Sequence, residues 1–160
     1  MGVRKYLDIP RIYLDMDGPL ADFDRAIIET GTPGNVLKLQ PGVFRNLKVV
    51  PGAKSAVARL RALAVDVWIM TKSPDGSTLA ASEKQAWQQE HFPELRDHII
   101  ITPDKGCVGR ECDFLVDDHP EWANARNFPG TVIKFIPVYD TDGESSNNWN
   151  EIVERLRAIF

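Results

Sequence analysis

The sequence predicts an α/β fold: a parallel β-sheet in a three-layer, Rossmann-like arrangement, with a small helical cap inserted after the first strand. Three observations predict it. Short apolar runs recur along the chain and each stops abruptly at a polar residue or a proline. Segments with apolar residues three and four apart separate several of these runs, which is the helical period. One stretch early in the chain is too long, and too rich in Gly, Pro and Asn, for a plain loop in a compact domain.

The elements follow in order. Arg11-Ile12-Tyr13-Leu14 is the first strand and ends at Asp15. The cap occupies about residues 24–52. Its core, Gly31 to Pro51, has room for a short helix, and Gly31, Gly34, Gly42 and Gly52 offer hinges. Ala53, Ala56, Val57, Leu60 and Leu63 mark a helix by their spacing. Val65 to Met70 is the second strand and ends at Thr71. Ser77 to Glu90 is a less regular helix with Leu79, Glu83, Ala86, Trp87 and Glu90 in register. His98 to Ile101, Asp113 to Val116 and Thr131 to Ile136 are further strands, ending at Thr102, Asp117 and Pro137. Trp149, Ile152, Val153, Leu156 and Ile159 define the last helix, opened by Asn148 with Glu151 three residues on. Runs that are apolar on both faces suit strands covered by helices on either side. Strand and helix in alternation imply right-handed crossovers. The whole chain, 1–160, reads as a single domain.

Composition narrows the function classes. With 43% hydrophobic and 26% charged residues in 160, the chain can bury a core without staples. A balance of 19 basic against 23 acidic residues, net −4, argues against a grip on a nucleic acid polymer. Two cysteines, Cys107 and Cys112, make no disulfide framework. No stretch approaches the roughly 18 apolar residues of a membrane span. The opening Met1-Gly2-Val3-Arg4-Lys5-Tyr6 lacks the apolar run of a signal peptide, and Tyr6 stands where myristoylation wants Ser or Thr. A cytoplasmic, reducing compartment is the expectation. The oligomeric state is left open, a homodimer included.

In an open parallel sheet, ligands bind at the carboxyl ends of the strands. Those ends carry Asp15, Thr71, Thr102 and the pair Asp117-Asp118. Asp15-Met16-Asp17-Gly18 adds a second carboxylate and a glycine for a tight turn. A lone Asp after a strand is usually a turn former or a helix cap. Several carboxylates together repel one another and are costly to hold unless a cation compensates them. Hard oxygen donors favour Mg²⁺, which binds through one or two carboxylates plus substrate oxygens and water. The residues therefore point to a metal-assisted phosphoryl site.

The run Leu14-Asp15-Met16-Asp17-Gly18-Pro19-Leu20-Ala21-Asp22-Phe23 resembles the first motif of the haloacid dehalogenase-like phosphohydrolases. More narrowly, it resembles the 5′(3′)-deoxyribonucleotidases. Phe44-Arg45-Asn46-Leu47 with Pro51-Gly52-Ala53 resembles that family's exit from the cap. Ile69-Met70-Thr71 resembles its second motif, and Lys84-Gln85-Ala86-Trp87 its Lys-x-x-Trp. Thr102-Pro103-Asp104-Lys105 is similar to the third motif and Leu115-Val116-Asp117-Asp118 to the fourth.

The resemblance implies a Mg²⁺-dependent phosphomonoesterase acting on a small phosphorylated metabolite, a nucleoside monophosphate, through an aspartyl-phosphate. Asp15 would be the nucleophile and Asp17 the general acid, then base. The ion would be held by Asp15, the Asp17 backbone carbonyl and Asp118, with Asp117 orienting them. Thr71, Lys105 and Lys84 would bind phosphate, an exposed helical lysine being the bland alternative for Lys84. Phe23, Phe44 and Arg45 would line the substrate pocket, the two rings equally able simply to close the cap. The chain departs from the pattern at Pro19, which has no N–H to offer the turn, at Lys72 after Thr71, at Arg45 after Phe44, and in a longer Cys107–Asp113 connection.

Weaker signals are assigned bland roles. The cysteines lack a second ligand pair for zinc. His119 could touch the metal's surroundings or lie at the surface. His91, His98, Trp68 and Trp87 read as packing residues, and Trp122 and Trp149 have no assignable task. Two other readings stay open: a phosphatase for a sugar phosphate or another small non-nucleotide ester, and a catalytically silent phosphate-binding module.

Overall fold

The computed structural model describes residues 9–137 and 148–160. The reading of Met1 to Tyr6 lies outside the described residues. β1 (Arg11–Leu14), β2 (Asp66–Thr71), β3 (Ile99–Ile101), β4 (Phe114–Asp117) and β5 (Thr131–Lys134) form one five-stranded sheet in the order β3-β2-β1-β4-β5. Every pairing is parallel, and Tyr13 of β1 sits in register between Trp68 and Leu115. The helices are α1 (Phe23–Thr30), α2 (Gly34–Leu37), α3 (Ala53–Arg61), α4 (Ala80–His91) and α5 (Asn148–Arg157). No helix among the described residues is long and apolar enough to cross a membrane.

The alternation of side chains along a strand divides the core in two. Ile12 and Leu14, with Val67, Ile69, Val116 and Ile133, face one large apolar cluster. Ala53, Ala56, Val57 and Leu60 of α3, Ala80 and Trp87 of α4, and Trp149, Ile152, Val153 and Leu156 of α5 close it. Tyr13, Met70 and Leu115 face the other way, onto Ala125 and Phe128. That third layer is thin. Where the sequence reading expected helices on either side, the second face is covered by the 3₁₀ turns Lys105–Cys107 and Ala125–Asn127 and their loops. The two connections that cross this face, 102–113 and 118–130, carry Pro, Gly, Asp and Asn at close intervals, and these favour turns over helix.

The segment between β1 and α3 holds α1, α2 and a 3₁₀ turn at Phe44–Asn46. α1 falls within the expected helical cap, and its start and stop are ordinary. The Asp22 carboxylate accepts from Arg25 N at 3.0 Å, and Gly31, at φ 65, donates back to Ile27 O. The register expected for α4 also shifts. It buries Ala80, Lys84, Trp87 and Gln88 and leaves Leu79 exposed. Two of those buried residues are polar, so the inward face carries no apolar stripe for periodicity to find.

Candidate active site

The strand order reverses at β1, so the crevice beyond the carboxyl ends of β1 and β4 is the switch point of the sheet. Asp15 N donates to Val116 O at 2.9 Å and fixes the two strand ends side by side. After Asp15 the chain turns sharply. Leu20 N and Ala21 N donate to Met16 O, and Gly18 N donates to Ala21 O at 2.9 Å. Pro19 therefore needs no N–H. Its carbonyl accepts the Trp149 indole N–H at 2.7 Å, so α5 anchors this loop. Gly18 has φ +103, and a Cβ there would lie 2.1 Å from Asp118 Oδ2. Only glycine lets the Asp118 carboxyl approach so closely.

Oxygens of Asp15, Asp117 and Asp118 lie within 4.8 Å of one another, and all three residues are buried. Lys105, itself 3% exposed, places Nζ 2.9 Å from Asp15 Oδ1 and 2.7 Å from Asp117 Oδ2. One cation thus serves two carboxylates, while Asp118 shares a hydrogen bond with Asp15 and lies 3.7 Å from the His119 ring. Burial raises the Asp15 carboxyl to about 6, with Lys105 pulling it down and Asp117 and Asp17 pushing it up. Burial, with Asp15 and Asp117 beside it, raises Asp118 to about 9. The Lys105 ammonium stays above its usual range, because Asp15 and Asp117 outweigh the burial that would lower it. An all-oxygen set with more negative charge than Lys105 can balance fits a hard divalent cation.

Asp17 stands at the edge of this cluster. Its Oδ2 accepts from Lys84 Nζ at 2.7 Å, while its Oδ1 is buried without a protein partner. Lys84, 0% exposed, also donates to Thr71 Oγ1 at 2.9 Å and to Lys72 O at 2.7 Å. Its ammonium lies 4.6 Å from the Phe44 ring centroid, a cation–π contact. Lys84 is thus neither an exposed helical lysine nor a free phosphate ligand. Its three protons are committed, and since Thr71 Oγ1 accepts one, the Thr71 hydroxyl proton is left to donate elsewhere.

A cavity of about 740 Å³ opens above these groups. Asp15, Asp17, Thr71, Lys105, Asp117 and Asp118 form its floor, and Phe23 and Phe44 line it from the cap. The two rings stack at 5.8 Å and 13°, and Phe44 keeps only 2% of its surface exposed. Arg45 does not join them. It pairs with Glu90 and lines a separate groove with Lys48 and His91, because successive residues of a 3₁₀ turn point about a third of a turn apart. Thr102 stays out too, its hydroxyl closing a local turn with Asp104. The cysteines are exposed and free, Cys107 donating to Asp104 at 3.1 Å.

The cavity also includes residues the sequence reading did not assign: Ile27, Asn35 and Lys38 from the cap, Lys72, and His119 with Trp122. His119 and Lys72 had a signal, their places directly after the paired aspartates and after Thr71; Ile27, Asn35, Lys38 and Trp122 carry no motif.

Comparisons agree with this geometry. A family model described as 5′ nucleotidase, deoxy (pyrimidine), cytosolic type C protein matches residues 36–159. A Staphylococcus aureus protein named provisionally as a 5′(3′)-deoxyribonucleotidase is 35% identical over 117 residues, 71% of this chain and 62% of that relative. The match thus spans less than two thirds of that relative's length. A Bordetella bronchiseptica protein with the same provisional name is 30% identical over 177 residues, covering 89% of this chain and 94% of the relative. The mitochondrial 5′(3′)-deoxyribonucleotidase of Mus musculus is 29% identical over 153 residues, covering 74% and 69%. A haloacid dehalogenase-like family hydrolase from Xanthomonas campestris superposes with a TM-score of 0.57 at 12% identity, covering 94% of this chain and 96% of that one.

Proposed function

The chain belongs to the 5′(3′)-deoxyribonucleotidase family of haloacid dehalogenase-like hydrolases, and from that premise we propose that it is a Mg²⁺-dependent phosphomonoesterase acting on nucleoside monophosphates. One observation carries the reading. A buried aspartate at the tip of the central strand, held by a buried lysine at 2.9 Å, faces a cavity of about 740 Å³ with an aromatic wall. Asp15 Oδ attacks phosphorus in line and the ester oxygen leaves, giving an aspartyl-phosphate. Asp17 supplies the proton to the departing alkoxide and later takes one from the hydrolytic water. Its unpartnered Oδ1 is the oxygen free to do so, and Lys84 fixes the carboxyl through Oδ2.

Thr71 donates its hydroxyl proton to a phosphoryl oxygen, and Lys105 balances charge on Asp15 and on the transferring group. Asp15, Asp118 and the Asp17 carbonyl would hold the metal ion, with Asp117 supporting them. When bound, the ion neutralises the carboxylates and draws electron density from the phosphoryl group. The aromatic residues lining the cavity, Trp122 among them, support a substrate carrying a flat ring. Two free thiols suit a reducing compartment, which supports the cytoplasm.

The test is turnover of 2′-deoxynucleoside 5′- and 3′-monophosphates, and of p-nitrophenyl phosphate, with Mg²⁺ and with EDTA. Asp15→Asn keeps the fold and loses turnover, because an amide cannot form the acyl phosphate. Sizeable activity in a clean Asp15→Asn preparation, or wild-type silence toward every nucleotide, overturns the proposal.

A further inference from the structure

Phe44 offers a ligand little surface. The Lys84 ammonium lies over its ring, Phe23 stacks beside it, and 2% of it is exposed. Phe23 is itself packed partly into the core. Among the described aromatic residues lining the cavity, the one with an open face is Trp122, 62% exposed in the connection that follows β4. Its ring stacks on His119 with centroids 3.8 Å apart and planes 18° from parallel. An indole left so open beside a cavity loses hydrophobic stabilisation unless something covers it.

The ring is held rather than loose. His119 N donates to Asp117 Oδ1 at 2.8 Å, and His119 Nδ1 lies 2.8 Å from Glu121 Oε1. Behind Trp122, Ala123 and Asn124 both take left-handed backbone at φ 50 and φ 55, a conformation unfavourable for consecutive residues with side chains. Neighbours impose it. Lys105 N donates to Ala123 O at 2.8 Å, and Asn124 Nδ2 donates to Asp104 Oδ1 at 2.8 Å. The stack is thereby tied to Asp117 on one side and to Lys105 on the other, the two residues that frame the phosphate site. Strain kept beside a site by fixed hydrogen bonds is strain that aims a side chain.

We infer that Trp122, backed by His119, is the stacking surface for the ring of the leaving group, so that the core wall and not the cap alone selects substrates bearing a nucleobase. The inference rests on the nucleotidase reading and adds the residue that recognises the base. Stacking needs only a flat π-face, so Trp122 favours any base over none and does not choose strongly among bases. Asp15 and the phosphate position are common to every ester. Trp122 is what distinguishes a nucleotide from its sugar phosphate.

The experiment compares kcat/KM for 2′-deoxynucleoside monophosphates with that for 2-deoxyribose 5-phosphate, in wild type, Trp122→Ala and Trp122→Phe. Trp122→Ala lowers the ratio on the order of tenfold, mostly through the nucleotide's KM, and Trp122→Phe restores most of it. An unchanged ratio in Trp122→Ala overturns the inference while leaving the nucleotidase reading intact. In parallel, acrylamide quenching of tryptophan fluorescence is measured on Asp15→Asn with Mg²⁺. A deoxynucleoside monophosphate shields the most exposed indole and 2-deoxyribose 5-phosphate does not, and the difference vanishes with Trp122→Phe. If wild type hydrolyses no phosphate ester, the nucleotidase reading fails, and this quenching decides the inference: no shielding overturns it, and base-dependent shielding upholds it.

Discussion

Two residues show how much chemistry a single position can hold. At Gly18 a methyl group would meet Asp118 Oδ2 at 2.1 Å in a backbone conformation, φ +103, that side chains avoid. Gly18→Ala is expected to lower stability by roughly 1–3 kcal/mol and to weaken Mg²⁺ binding, because Asp118 must retreat. Thermal unfolding and a calorimetric Mg²⁺ titration check it, and a variant with wild-type values in both contradicts the placement of Asp118. At Lys84, three donors reach Asp17, Thr71 and Lys72 O from a position with no solvent exposure. Lys84→Met fills the volume but removes the charge. It is expected to cost about 1–3 kcal/mol of stability through unpaired acceptors. It should also lower kcat roughly 10- to 100-fold, because Asp17 loses its orientation. An undiminished kcat would show that Asp17 needs no such hold.

At the scale of elements, α4 joins the cap to the core. Glu83 accepts from Gly42 N at 2.6 Å and Phe44 N at 3.2 Å, and the Trp87 indole donates to Leu47 O at 2.7 Å. The second half of the cap is therefore fastened to the sheet layer. Gly42, read from sequence as a hinge, sits at a fastening point. Glu83→Ala releases the turn that carries Phe44. The expected cost is about 1–2 kcal/mol of stability. Hydrogen exchange at residues 42–47 reads the change directly, and unaltered protection there would mean that packing alone holds the cap. On the opposite side, α5 reaches the turn after Asp15 through the Trp149 bond to Pro19 O. The helix most distant in sequence thus steadies the turn at the tip of β1.

For the whole molecule, the balance of charge at the switch point makes stability depend on pH. Asp118, raised to about 9, and Asp15, raised to about 6, both hold protons more tightly in the folded chain than at the ordinary carboxyl value of 3.8. A folded-state pKa above the unfolded one means that metal-free stability falls as pH rises from about 4 through the raised values. A bound cation replaces those protons, so Mg²⁺ should raise Tm more at pH 8 than at pH 5. Equal gains in Tm at the two pH values would refute the charge imbalance. Placed elsewhere, these carboxylates would be ordinary turn formers. The reversal of strand order brings their separate turns to one point.

The parallel sheet was legible because each buried strand is a short apolar run closed by a polar residue, a pattern that local chemistry writes into consecutive positions. Asp15, Asp17, Thr71, Asp117 and Asp118 were legible as polar residues at or beside strand tips, and Lys105 through the resemblance of Thr102-Pro103-Asp104-Lys105 to a family motif; Thr102, marked by the same strand-tip rule, does not line the cavity. What lay beyond reach depended on contacts across the fold. Helix spacing says which residues share a face, but not that Lys84 would face inward to meet Asp17, a bond between positions 67 apart. Nor could it separate Phe44, in the cavity, from Arg45, outside it. The thin third layer, the Trp149 bond to Pro19, 130 positions away, and the His119–Trp122 stack at the rim were decided only by packing. A sequence constrains what each residue can do within one turn of its neighbours. Which distant partner completes a buried polar group is decided only when the layers close and water is excluded.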